Sequence, residues 1–170
     1  MIKHRTYAAL GAVWRSAKGT ASLEFAMILP MMLVLFVGAF EGGRLFWDYH
    51  VLTKAVRDGA RFAARLPADC SGLINAADVT NVQQLTRTGT IDASADPVIT
   101  GWTDNTSISV TATCFDNSSD AYSGLYEDQD QIPLISVRAA ITFNYLFAGL
   151  IFDDAQATLG AIHQEVSIGE

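Results

Sequence analysis

Glu24 stands out first among the residues that could do chemistry. It is the single charged side chain between Thr20 and Phe40, inside an otherwise apolar stretch. A carboxylate near the start of a membrane span costs free energy, and such groups usually mark a function. The plainer alternative keeps Glu24 at the headgroup level, in contact with water. Cys70 and Cys114 are the only cysteines. His4, His50 and His163 are far apart in the sequence and stand beside no nucleophile motif. A phosphate-cradling glycine loop and a paired-carboxylate signature are both missing, so no catalytic residues are expected and the chain does not read as an enzyme. The acidic runs Asp116-Asn117-Ser118-Ser119-Asp120 and Glu127-Asp128-Gln129-Asp130 lack the spacing of a calcium loop. They read as a solvated loop, and neither a metal nor a cofactor is expected. Asn105-Thr106-Ser107 and Asn117-Ser118-Ser119 match the glycosylation sequon, which is common by chance.

The elements around these residues differ sharply in charge. The chain has 170 residues, a net charge of −7 and a hydrophobic content of 50%. That length allows about one domain, and the composition excludes a disordered chain and a basic nucleic-acid binder. Residues 1–19 carry Lys3, Arg5, Arg15 and Lys18 and no acid. The stretch 20–40 is long enough to cross a hydrocarbon core of about 30 Å as a helix, and its run from Phe25 to Val37 is apolar on every face. Residues 42–65 hold Arg44, Lys54, Arg57, Arg61 and Arg65 against Asp48 and Asp58. From Leu66 onward there are 14 acids, with Arg87 and Arg138 the only bases. The positive-inside rule places the leader in the cytoplasm and the acidic body across the membrane. Within the apolar stretch, Pro30 deprives the Ala26 carbonyl of its helical donor, which membrane helices tolerate, usually with a kink.

The junction reads Arg15-Ser16-Ala17-Lys18-Gly19-Thr20-Ala21-Ser22-Leu23-Glu24-Phe25. It resembles the prepilin peptidase site of type IV pilin-like proteins, with Glu24-Phe25 similar to the form found in the tight-adherence (Tad, or Flp) system. Further on stand Leu29-Pro30, Gly38, Glu41, Gly43-Arg44 and Ala55-Val56-Arg57-Asp58-Gly59-Ala60-Arg61-Phe62-Ala63-Ala64. With Glu24-Phe25-Ala26 these resemble the TadE-like family of minor pilins over about residues 19–65. Val56 and Asp58 are small departures from that family's block, which usually has alanine and glutamate there.

The resemblance implies cleavage after Gly19, leaving Thr20 as the new N-terminus and Glu24 as the fifth mature residue. Gly19 has no side chain to obstruct a protease. The Thr20 amine would then pair with Glu24 of a neighbouring subunit and set register during assembly. The family further implies a pilin-like fold and a role in pilus assembly, hence surface adhesion. Implied partners are the prepilin peptidase, other Tad pilins and paralogous minor pilins, the inner-membrane assembly platform and the lipid bilayer, with no nucleic acid. The implied location is the bacterial inner membrane, single-pass, with the C-terminal domain in the periplasm or carried into an extracellular pilus. Two other readings stay open: a secreted domain cut near Val37-Gly38-Ala39, and an uncut single-pass anchor for an adhesive or sensory domain.

Four segments follow: a leader over 1–19, a transmembrane helix over 20–40, an amphipathic stem over 41–66 and a β-rich extracytoplasmic domain over 67–170. The periodicity predicts that Leu45, Tyr49, Leu52, Val56 and Ala63 share one stem face. Ala55, Gly59 and Ala63 form a small-residue ladder, and Gly38 with Gly42 forms another. The stem ladder packs either on a neighbouring helix or on the protein's own sheet, and Gly42-Gly43 is a candidate joint. The helix is expected to run to Leu66, with Pro67 stopping it. Outside the cytoplasm, Cys70 and Cys114 are expected to pair, which is worth on the order of 4 kcal/mol by loop entropy.

Alternation predicts a strand over 107–115 with Ile108, Val110, Ala112 and Cys114 inward. A second strand over 134–147 points Ile135, Val137, Ala139, Ile141, Phe143 and Tyr145 inward. A weaker third over 155–168 rests on Thr158, Ile162, Val166 and Ile168. A short helix over 75–87 would use Val79, Val82 and Leu85, and residues 116–131 read as an exposed loop. The fold class is therefore α+β: a long N-terminal helix packed on a small antiparallel sheet.

Overall fold

The computed structural model describes residues 19–68, 70, 74–119, 122, 124, 126–127, 129–147 and 155–168. The leader expected over 1–19 lies outside the described residues except for Gly19. Helix α1 spans Thr20–Ala63 and is continuous through Pro30 and through Gly42-Gly43. The chain divides into two compact units at Gly42/Gly43.

In the first unit, every residue from Gly19 to Phe36 is exposed. Leucine, methionine and alanine favour helix here, and Pro30, which has no N–H to offer the Ala26 carbonyl, stands inside the helix without ending it.

The second unit holds the rest of α1, helix α2 (Ala76–Thr88) and strands β1 (Ile108–Asp116), β2 (Gln131–Asn144) and β3 (Gln156–Val166). The sheet is an antiparallel meander in the order β1-β2-β3. Its core joins Ile135, Val137, Ala139, Ile141 and Phe143 of β2 to Leu52, Val56, Ala60 and Ala63 of α1 and Val82 of α2. Trp102 closes one side of that core, and its indole N–H donates to Ser107 Oγ at 2.7 Å. An α+β arrangement results, with one sheet face covered by helix.

Strand β2 is central, and alternating residues are buried along it, as the alternation predicts; Tyr145 is half-buried just beyond its end. The flanking strands correct the expectation. In β1 only Ile108 is buried; Val110 and Ala112 are half-buried and Cys114 is exposed, because the strand runs past the core toward the hairpin tip. In β3 the buried residue is Leu159, paired with Ile141, while Ile162 pairs with Arg138 on the outer face. Thr158 and Ile162 are exposed and Val166 is half-buried, while Ile168 is exposed just beyond the end of β3, so these four do not mark the core face.

Helix α1 ends three residues before Leu66. Its last turn tightens through Arg65 N–H to Phe62 O and Leu66 N–H to Ala63 O, both 3.1 Å. The Ala64 carbonyl, left without an intrahelical donor, accepts from Ile168 N–H at 2.9 Å. On the stem, Leu52, Val56 and Ala63 are buried and Leu45 half-buried, but Tyr49 is exposed. Tyr49 lies at the rim of that face, toward the beginning of the stem.

Helix α2 is capped at both ends. Asn75 Oδ1 accepts from Ala77 N–H at 3.0 Å, and Gly89, at φ 78°, donates to Leu85 O at 2.7 Å. Its buried residues are Val82, Gln84 and Thr86; Val79 and Leu85 are half-buried. The buried polar groups are satisfied. Thr86 Oγ1 donates to Val82 O at 2.7 Å, and Gln84 Nε2 donates to Asp92 O at 3.0 Å.

Among the described residues of the loop after β1, Asn117 is fully buried and Tyr126 half-buried, and the others are exposed. Its Nδ2 lies within donating distance of the carbonyls of Tyr122, Tyr126 and Gln129, at 3.2, 3.0 and 3.0 Å. Asn117 Oδ1 accepts from Tyr122 N–H at 3.0 Å. One side chain thus satisfies the turning backbone from inside.

Candidate assembly and membrane site

The junction residues stand at the start of α1. Gly19 is exposed, and a Cβ built on it would meet nothing within 4 Å. Its carbonyl accepts from Ser22 Oγ at 2.9 Å, one of the local bonds that form where a helix begins. Thr20 and Glu24 are exposed four residues apart on one helix face, and Phe25 is 57% exposed. A Cβ on Gly38 or Gly42 would likewise meet nothing within 4 Å. The helix is long and apolar enough, by length and composition, to cross a membrane.

The stem ladder has a different setting. Ala55 and Ala63 belong to the core of the second unit, and Gly59 is buried. A Cβ on Gly59 would run into the Thr86 side chain, whose own Cβ would lie 3.2 Å away. Gly59 therefore lets α2 approach α1 closely, and this ladder packs within its own domain. Gly59 meets α2, while Ala55 and Ala63 share the core cluster with the sheet residues.

Cys70 and Cys114 are disulfide-bonded, with Cα atoms 5.6 Å apart. The bond joins the segment after α1 to the outer part of β1. Among the described residues no three His, Cys, Asp or Glu side chains gather where they could hold a metal ion. Asp104, beside a cleft of about 290 Å³ near Trp102, has its pKa lowered by the Thr106 hydroxyl and then by the Thr106 N–H. These bonds belong to a turn that begins β1.

The family comparison falls on the same stretch of helix. Residues 19–61 match the family model of TadE-like protein. That segment is TadE-like. The match opens at Gly19 and takes in Glu24, both glycines of the first ladder, and Ala55 and Gly59 of the second. It is consistent with a TadE-like protein of the Tad pilus system. Comparisons with curated proteins and with solved structures returned no match.

Three features escaped the sequence reading. Thr86 carried no signal, because a polar residue on a predicted helix face reads as solvent-facing. Asn117 was hidden among other loop residues of the same kind. The adjacent aromatics Phe46 and Trp47, 73% and 69% exposed, fall outside the helical periodicity of the stem and so give no signal of their own.

Proposed function

We propose that this chain is a minor pilin, or pseudopilin, that the prepilin peptidase cuts between Gly19 and Thr20 and that acts in Tad pilus assembly, and so in surface adhesion. The observation that carries this reading is the TadE-like match beginning at Gly19, on a helix whose apolar half has no buried residue from Gly19 to Phe36. A segment so apolar and so exposed calls for a nonpolar surrounding, either lipid or the helices of other subunits. Glu24 lies within that surrounding. A Thr20 amine from a neighbouring pilin would offset the cost of burying its carboxylate. In this reading the body stands in the periplasm. The partners are the peptidase, the other Tad pilins and the assembly platform of the bacterial inner membrane.

Intact mass and N-terminal sequence of membrane-derived protein, with and without the peptidase, test the processing. A chain starting at Thr20 only when the peptidase is present is the expected result. A start at Met1 in both samples overturns it, and a start near Phe40 means a signal peptide. Gly19→Leu is expected to block trimming. Glu24→Ala is expected to leave trimming largely intact and reduce piliation; normal piliation in that variant would remove the role given to Glu24.

A further inference from the structure

The exposed surface of α1 changes chemistry in steps along the chain. From Leu23 to Phe36 it is dominated by aliphatic side chains and Met. Aromatic residues follow: Phe40, Phe46, Trp47 and Tyr49 are 54%, 73%, 69% and 47% exposed. Beyond them, up to Arg65, the exposed charged residues are Lys54, Arg57, Asp58, Arg61 and Arg65, four cations to one acid. Aliphatic, then aromatic, then cationic is the order met on leaving a bilayer, from hydrocarbon through the interface to water.

The spacing agrees with that order. With Glu24 at the inner edge of the hydrocarbon, a core of about 30 Å takes about 20 helical residues and ends near Arg44. The headgroup layer on that side, roughly 6 Å deep, covers about the next four or five residues, Leu45 to Tyr49. Arg44 does not oppose this placement, since its guanidinium lies 5.1 Å from the centroid of the Phe143 ring, drawn to the body. Leu52 and Val56 face the core, whereas Phe46 and Trp47 remain exposed. Indole and phenol rings suit the interface because each joins an apolar body to one polar group.

We propose that Phe46 and Trp47, with Tyr49, are seated in the lipid headgroup region on the side of the membrane away from the leader, and fix how far the helix emerges. This rests on the membrane-spanning reading of α1. The occupant is lipid because the aromatic turns follow the apolar span in sequence and give way, from Lys54 onward, to a surface with four cations and one acid.

Full-length protein reconstituted in phosphatidylcholine vesicles provides the test. Wild type minus Trp47→Phe gives the emission of Trp47 free of Trp14 and Trp102. Expected is a blue-shifted difference spectrum, quenched roughly twofold more by bromine near the glycerol end of the acyl chains than near the methyl end. Aqueous iodide should have little effect. Strong iodide quenching would place Trp47 in water and overturn the proposal. Shielding from both quenchers would place it against protein and overturn it equally. Flotation of both proteins with the vesicles is read separately: chains that float but fail the quenching test leave the span standing, whereas chains that do not float remove the span as well.

Discussion

In the N-terminal half of α1, Met27 is 76% exposed and Val34 72%; in the C-terminal half, Leu52 and Val56 are fully buried. Both halves are helical by the same backbone rules. They differ in where their apolar side chains find a partner. Burying a large apolar side chain contributes about 1.5–3 kcal/mol, and the C-terminal half gains this from the sheet and α2. In the N-terminal half the large apolar side chains from Leu23 to Phe36 are left exposed. The two glycine ladders make the same point. A Cβ at Gly38 would meet nothing within 4 Å, whereas one at Gly59 would collide with Thr86. Identical small-residue spacing serves an outward surface in one place and an internal joint in the other.

The largest test of this contrast pairs two leucines. Leu52→Ala should lower the unfolding free energy of the body by about 2–5 kcal/mol. Leu33→Ala should leave it unchanged, because Leu33 is 54% exposed and absent from the core. Chemical unfolding of full-length protein in detergent, followed by near-ultraviolet dichroism, measures both. Comparable losses would mean that the apolar half also supports the body. The glycines give a smaller effect with opposite signs. Gly59→Ala should cost about 1–3 kcal/mol through overpacking on Thr86. Gly38→Ala should stabilise its helix by up to about 1 kcal/mol, since alanine is the better helix former. A neutral Gly59→Ala would show that Thr86 yields easily. Lost pilus assembly with retained stability in Gly38→Ala would show that another helix packs there.

How far the sequence was legible follows the same division. The apolar half was readable because it is nearly uniform and needs no partner to be recognised. Central strand β2 was readable because both neighbours hold it in one register, so its period of two survives intact. Edge strand β3 is hard to read because Ile162 lies outward while two of the three residues toward the core, Ala157 and Ala161 beside Leu159, are small. A large apolar side chain outside and alanines inside invert the usual signal. Gly59 was legible as a small residue but not its partner, since Thr86 becomes a packing residue only once α2 is in place. Glu24 and Gly19 were legible as a motif. Their exposure at the start of α1 does not by itself say which neighbour they meet.

Acid separates the two regions by a gentler route. Asp92, Asp104 and Asp116 all lie in the body, and each has its pKa lowered by hydrogen bonds. The Ser94 N–H acts first on Asp92, the Thr106 hydroxyl on Asp104 and the Ser118 hydroxyl on Asp116. A lowered folded pKa means that the folded state binds protons less readily than the unfolded chain. The contribution of these bonds is therefore complete above the unfolded value of about 3.9 and is lost as pH falls through the lower folded values. The body should hold its stability down to about pH 4 and weaken below it. Vesicle flotation should persist over the same range, because the apolar residues that hold the span do not titrate. Asp104→Asn, which keeps an acceptor for Thr106 but cannot ionise, should make the acid limb of the unfolding curve shallower. An unaltered limb in that variant would assign the acid sensitivity to other carboxylates of the body. Release from vesicles in step with body unfolding would show instead that the folded body helps to hold the helix in the membrane, and the separation drawn between the two halves of α1 would fail.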